Sequence, residues 1–255
     1  MRGSACYEVT SVRGGCRALV RWGAVPLDRG MTQARLSPRS LTLACFALAV
    51  LAAQPAAAHP HLFVDVTHSL LFDADGRLVG LRARWDYDEM FTLLMVEDGK
   101  YDRNGDGRVA GDELAAFQTW DADWPVDYGG DIEIELAGQP VALHGPSDWA
   151  AEWHDGRAVS VHTRLLQTPL DLTGRELVIR PYDPDFYTAY TVVAPPRFEG
   201  RGDCHAAVFE ADPGAVSDEL AAAIAELSPE VTPADAGLPA VGRLYADEER
   251  ITCGK

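Results

Sequence analysis

Leu62-Phe63-Val64-Asp65-Val66-Thr67-His68-Ser69-Leu70-Leu71-Phe72 is rich in β-branched and aromatic residues, and Asp75-Gly76 follows it. Leu78 to Trp85 then alternates apolar and polar side chains. Two such runs about a Gly-containing turn predict a β-hairpin. From Asp86 the period changes. Met90, Phe91, Leu94 and Met95 recur at helical spacing, with Asp86, Asp88 and Glu89 at the amino end and Gly99 as the stop. A second short helix carries Leu114 and Phe117.

Beyond Asp131 the strand period returns. Ile132 to Leu136 alternates, Gly138-Gln139-Pro140 turns the chain, and Val141 to His144 comes back. Trp149–His154 and Arg157–Leu166 flank Asp155-Gly156, a second hairpin signal. Glu176–Pro181 and Phe186–Val193 are expected to pair around Asp183-Pro184-Asp185. Cys204–Phe209 and Leu244–Cys253 read as strands, and Asp218–Leu227 as a helix capped by Ser217. Strands do not alternate with helices, so a doubly wound nucleotide fold is excluded. The expected class is α+β, mainly antiparallel sheet, with a helical EF-hand-like insertion over 86–120 after the first hairpin.

The start of the chain reads as processing signal. Arg35 and Arg39, the apolar run Leu41 to Ala53, and Ala56-Ala57-Ala58 have the layout of a secretory signal peptide over 31–58, cut before His59. The apolar run is shorter than the roughly 20 residues of a membrane span. Residues 1–30 read as an extension ahead of a true start at Met31, leaving one mature domain over 59–255. The whole chain has a formal charge of −17. The mature part keeps 15 of the basic and 37 of the acidic residues, a charge of −22. Such a surface cannot neutralise phosphates, which excludes a nucleic-acid partner. Of five cysteines only Cys204 and Cys253 remain, and an even pair in an oxidising compartment predicts a disulfide, two free thiols being the alternative.

One motif is sharp. Asp102-Arg103-Asn104-Gly105-Asp106-Gly107-Arg108-Val109-Ala110-Gly111-Asp112-Glu113 fits the twelve-residue EF-hand calcium loop. Asp102, Asn104 and Asp106 offer hard oxygens at alternate positions, and Arg108 contributes its backbone carbonyl. Gly107 allows the sharp turn, and Glu113 can close the site with two oxygens. Ala110 leaves the ninth position to water. No second loop pairs with this one, so the expected site is structural and weak, with a dissociation constant of roughly 10⁻⁴–10⁻³ M.

A softer site sits at the new terminus. His59 would offer its α-amine and ring, and His61 lies two residues on. Amine and imidazole suit nickel, cobalt, copper or zinc. Pro60 lacks an N–H, which rules out a site built on deprotonated backbone amides. His68, His154, His162 or a carboxylate could complete a brace. Trp85, Trp120, Trp124, Trp149 and Trp153 read as core residues, and Asp121, Asp123, Asp127 and Asp131 as a solvated face.

The chain resembles a bacterial exported family, the domain of unknown function numbered one thousand and seven. The resemblance is carried by His59-Pro60-His61-Leu62-Phe63-Val64-Asp65, Asp75-Gly76-Arg77-Leu78, Trp85 with Asp88-Glu89, Asn104-Gly105-Asp106-Gly107 and Glu113-Leu114. It implies a periplasmic component of a transport system for metal ions, and it transfers no catalytic residue. The preferred reading is a periplasmic metal-binding accessory or solute-binding protein. It would serve a membrane metal transporter, with calcium in the Asp102–Glu113 loop and a transition metal at His59 and His61. The alternatives are a copper oxidase of the His-brace type, a hydrolase, or a calcium-stabilised interaction module. No Gly-x-Ser-x-Gly elbow, His-Glu-x-x-His pair or Gly-rich phosphate loop speaks for an enzyme.

Overall fold

The computed structural model describes residues 60–254, apart from Thr119, Val126, Asp127, Pro213, Ala215, Pro229, Glu230 and Ala240. The expected extension, the signal peptide and His59 therefore lie outside the described residues. The first hairpin forms where its alternation predicts, as β1 (Leu62–Phe72) against β2 (Leu78–Tyr87). Along β1, Val64, Val66, His68 and Leu70 face inward and are 0–2% exposed. The intervening residues are more accessible, the signature of a strand with one face on a core.

Two sheets hold the remaining strands: β3 (Ile132–Leu136), β4 (Gln139–Pro140), β5 (Leu143–His154), β6 (Arg157–Leu170), β7 (Glu176–Pro181), β8 (Thr188–Val192), β9 (Arg197–Glu199), β10 (Cys204–Phe209) and β11 (Glu248–Cys253). One sheet runs β5-β6-β2-β1-β8, with β9 also pairing β1, and the other runs β10-β11-β7-β3-β4. Their inner faces share one core, in which Val66, Leu70 and Leu81 meet Ile134, Leu177, Ile179 and Ile251. Asp155-Gly156 and Ala137-Gly138 have positive φ at both turn residues, as a two-residue hairpin turn requires.

Among the described residues three α-helices accompany the sheets: α1 (Glu89–Gly99), α2 (Asp112–Phe117) and α3 (Asp218–Ala225). Asp88 caps α1, its carboxylate accepting from Phe91 N at 2.8 Å, and Ser217 caps α3. The Ser217 cap follows the sequence reading, and among the acidic residues expected at the amino end of α1 it is Asp88 that caps it.

The expected class does not hold. The described residues are 43% strand and 16% helical, so the fold is mostly β, and a helical EF-hand-like insertion over 86–120 is not what this segment builds. The physical reason is that its helices have little to bury. Helix α1 hides only Thr92 and Val96 while Met90, Leu93 and Leu94 are more than half exposed, and α2 has six residues. Nor is the larger sheet purely antiparallel, because β8 and β9 both run parallel to β1. Strands β7 and β8 also fail to pair as expected. Between them the chain crosses from one sheet to the other, so β7 joins β3 and β11 while β8 joins β1.

Cys204 and Cys253 are directly opposite on β10 and β11 and form a disulfide, 49 residues apart in sequence. In the chain-entropy account a loop of that length contributes about 4 kcal/mol by restricting the unfolded chain. Replacing both cysteines by serine should lower stability by about 2–4 kcal/mol in urea unfolding of the mature chain. An unchanged midpoint would show that the paired strands hold this edge without the bridge.

Candidate functional site

The Asp102–Glu113 loop leaves α1 and enters α2, and it is tied to the larger sheet by its own apolar residue. Val109 is 2% exposed and packs with Val96 and Phe117 on Ala151 of β5 and Ala158 of β6. Backbone N–H groups then fix the carboxylates. Asp102 accepts from Gly105 N and Gly107 N at 2.8 Å and from Asp106 N at 3.2 Å. Asn104 Oδ1 accepts from Asp106 N at 2.8 Å, and Asp106 Oδ1 from Arg108 N at 2.9 Å. Glu113 is 6% exposed, yet its carboxylate meets only N–H donors, from Arg103 at 2.9 Å, Asn104 at 3.2 Å and Ala110 at 3.4 Å. Among the described residues no three His, Cys, Asp or Glu side chains converge as a metal site. A cation here would draw also on the Asn104 amide oxygen and the Arg108 carbonyl. A buried carboxylate met by no cationic side chain fits that demand.

The histidines divide. His61 is half-buried, and its N–H donates to the Tyr187 carbonyl at 2.8 Å while the two rings lie 4.9 Å apart. His68 stands about 23 Å further along the extended chain. It points into the core, where its Nδ1 lies 2.5 Å from Glu249 of the other sheet, both side chains wholly buried. His162 stands across Ala83 from His68, ringed by Trp85, Trp124 and Trp149 at 4.7–5.0 Å. Burial, then Arg164 and His68, holds its pKa down at about 3. His154 is exposed at the β5–β6 turn. The structure therefore brings neither His68 nor His162 to His61. Period-2 alternation did carry the signal, since His68 falls in the same inward row as Val64, Val66 and Leu70.

A third place was missed in the sequence. A cleft of about 400 Å³ opens beside the start of β1, lined by Trp85, Tyr87, Phe91, Trp120, Trp124, Tyr128 and Tyr190 together with Asp121. Tyr87 donates to Asp121 Oδ2 at 3.0 Å, and Tyr128 and Tyr190 both donate to Asp131 Oδ2 at 2.8 Å. These two aspartates are thus tyrosine-anchored and half-buried rather than part of a solvated face. Gly130 makes the corner possible: its φ is +78°, and a Cβ there would lie 2.6 Å from the Trp124 ring. Burial raises the pKa of Asp121 against the hydrogen bonds of Ser160, Tyr87 and Trp124. Burial also lifts Asp131 to about 6, opposed by its two tyrosines and helped by Asp183 and Asp185.

A carboxyl whose folded pKa is raised binds its proton more tightly folded than unfolded, so stability is lost as pH climbs from about 4 to 6. Asp131→Asn removes that loss. The variant should gain about 2–3 kcal/mol relative to the parent between pH 4 and pH 7 in paired urea titrations. A difference that stays constant with pH would contradict this.

Comparison with known proteins bears on the whole fold. The family described as Protein of unknown function (DUF1007) matches residues 44–253. No curated protein matches the chain. The match spans both sheets, the Asp102–Glu113 loop, the aromatic cleft and both bridged cysteines, and the chain belongs to that family.

Proposed function

We propose that the mature protein is a periplasmic metal-binding accessory of a metal-ion transport system, holding calcium in the Asp102–Glu113 loop as a structural ion. The observation that carries this reading is the loop itself. Its oxygens recur at the spacing calcium needs, and the buried carboxylate of Glu113 meets no cation of the protein's own. Asp102, Asn104, Asp106 and Glu113 would supply side-chain oxygens and Arg108 its carbonyl. The ion would neutralise charge in a chain with a large acidic excess and brace the segment that covers one end of the larger sheet. His59 and His61 are the candidates for a transition metal, and the surplus of carboxylates favours a protein that handles cations. The periplasmic and transport parts rest on the signal-peptide reading and on the family resemblance.

The test is thermal melting of the mature chain in chelator and then in 10 mM calcium. With a dissociation constant of roughly 10⁻⁴–10⁻³ M, binding should add about 1.4–2.7 kcal/mol, or about 3–10 °C. Glu113→Gln should abolish the shift. A melting temperature indifferent to calcium would remove the loop from the account. Nickel, copper, cobalt or zinc should each be titrated against His61→Ala under the same conditions, and equal binding by variant and parent would remove the terminal site.

A further inference from the structure

The cleft beside β1 opens where the core rings of Trp85, Tyr87 and Tyr190 meet the half-buried Phe91, Trp120, Trp124 and Tyr128, and it holds a carboxylate that no protein cation balances. Tyr87, Phe91 and Trp120 form one wall, their ring centroids 5.0–6.3 Å apart. Trp124 stacks on Trp85 at 5.7 Å and meets Tyr128 edge-on at 4.8 Å, making the other. Asp121 is set into this lining by the Tyr87 hydroxyl, and Asp131 stands behind it, accepting from Tyr128 and Tyr190. Among the described residues no Lys, Arg or His nitrogen lies within 4.0 Å of either carboxylate. Arg164, the guanidinium over Trp124, is held instead by the carbonyls of Gly129 and His144.

We propose that this cleft binds a small organic ammonium ion, its charge against the half-buried rings of Trp120 and Phe91 and its counter-charge on Asp121. Aromatic faces attract cations through the ring quadrupole, most strongly where water is excluded, and alkylated ammonium groups are the least costly cations to desolvate there. A half-buried carboxylate without a partner is the complementary group. A metal ion does not suit the place, since most of its lining is carbon and no three ligating side chains converge there among the described residues. A neutral apolar solute would leave the Asp121 carboxylate unbalanced. The volume of about 400 Å³ admits a molecule of a few heavy atoms to a modest solute.

The proposal is tested on the mature chain by tryptophan fluorescence and calorimetry with choline and tetramethylammonium, and with 3,3-dimethylbutan-1-ol as the uncharged isostere of choline. Saturable binding of the ammonium ions is expected, with the alcohol at least tenfold weaker. Asp121→Asn, which keeps shape and the Tyr87 hydrogen bond, should weaken choline at least tenfold. Absence of saturable binding by both ions, or equal binding of choline and the alcohol, would overturn it. Should the variant fail to fold, the choline–alcohol comparison on the unaltered chain decides. Each titration is run in calcium and in chelator. Loss of the calcium-dependent melting shift with choline binding retained would then count against the loop alone.

Discussion

The structure depends on how the open end of the six-stranded sheet is covered. On its β5–β6 ribbon, Ala151 and Ala158 belong to a core cluster separate from the one shared by the two sheets, and without a cover they would meet water. Val96, Val109 and Phe117 close that end. All three come from the single connection between β2 and β3, so the hydrophobic demand of the sheet dictates where that connection lies. Two candidate sites follow from one act of burial. Fixing Val109 turns the oxygen-rich loop outward, and fixing α1 and the residues after α2 stands Phe91 and Trp120 over the cleft.

Charge is managed differently on the two sides of the molecule. On the smaller sheet Arg180 gathers Glu133, Glu135 and Glu248 at 2.8–3.0 Å, and they raise its pKa against the cost of its burial. Between the sheets His68 Nδ1 pairs with Glu249 Oε2, while His68 Nε2 and Glu249 Oε1 stay buried without a partner, and removing either side chain would leave the other unpaired. The carboxylates of the loop and of the cleft have no cationic partner and are steadied by N–H groups and hydroxyls. A protein with so large an acidic excess could have neutralised them with its own arginines. Each proposed cation, in the loop and in the cleft, would stand beside a carboxylate that no protein cation balances.

The hairpins were legible because alternation and turn chemistry are local. Asp155-Gly156 needs two positive φ values, and its neighbours show which faces lie inside. The cysteine pair was equally readable, as the two cysteines left once residues 31–58 are read as a signal peptide and 1–30 as an extension. Sheet membership was not. Nothing in Thr188–Val192 says that it lies parallel to β1 rather than against β7, because strand period is blind to partner. The α+β class failed for a related reason: helical spacing in Met90–Met95 is real, but the packing surface that would make the segment a helical body is absent. The cleft escaped notice because Trp85 on β2 and Trp120 and Trp124 in the connection after α2 come together only in the fold, and each alone reads as a core aromatic. His68 was readable as a core position, though its partner Glu249, 181 residues away, was not.

Calcium titration calorimetry on the mature chain beginning at His59 tests the central claim most directly, since it asks whether the outward oxygens grip an ion without relying on stability as proxy. The account predicts one saturable site per chain in the roughly 10⁻⁴–10⁻³ M range, lost in Asp102→Asn. Dilution heats alone, with no saturation, would contradict it.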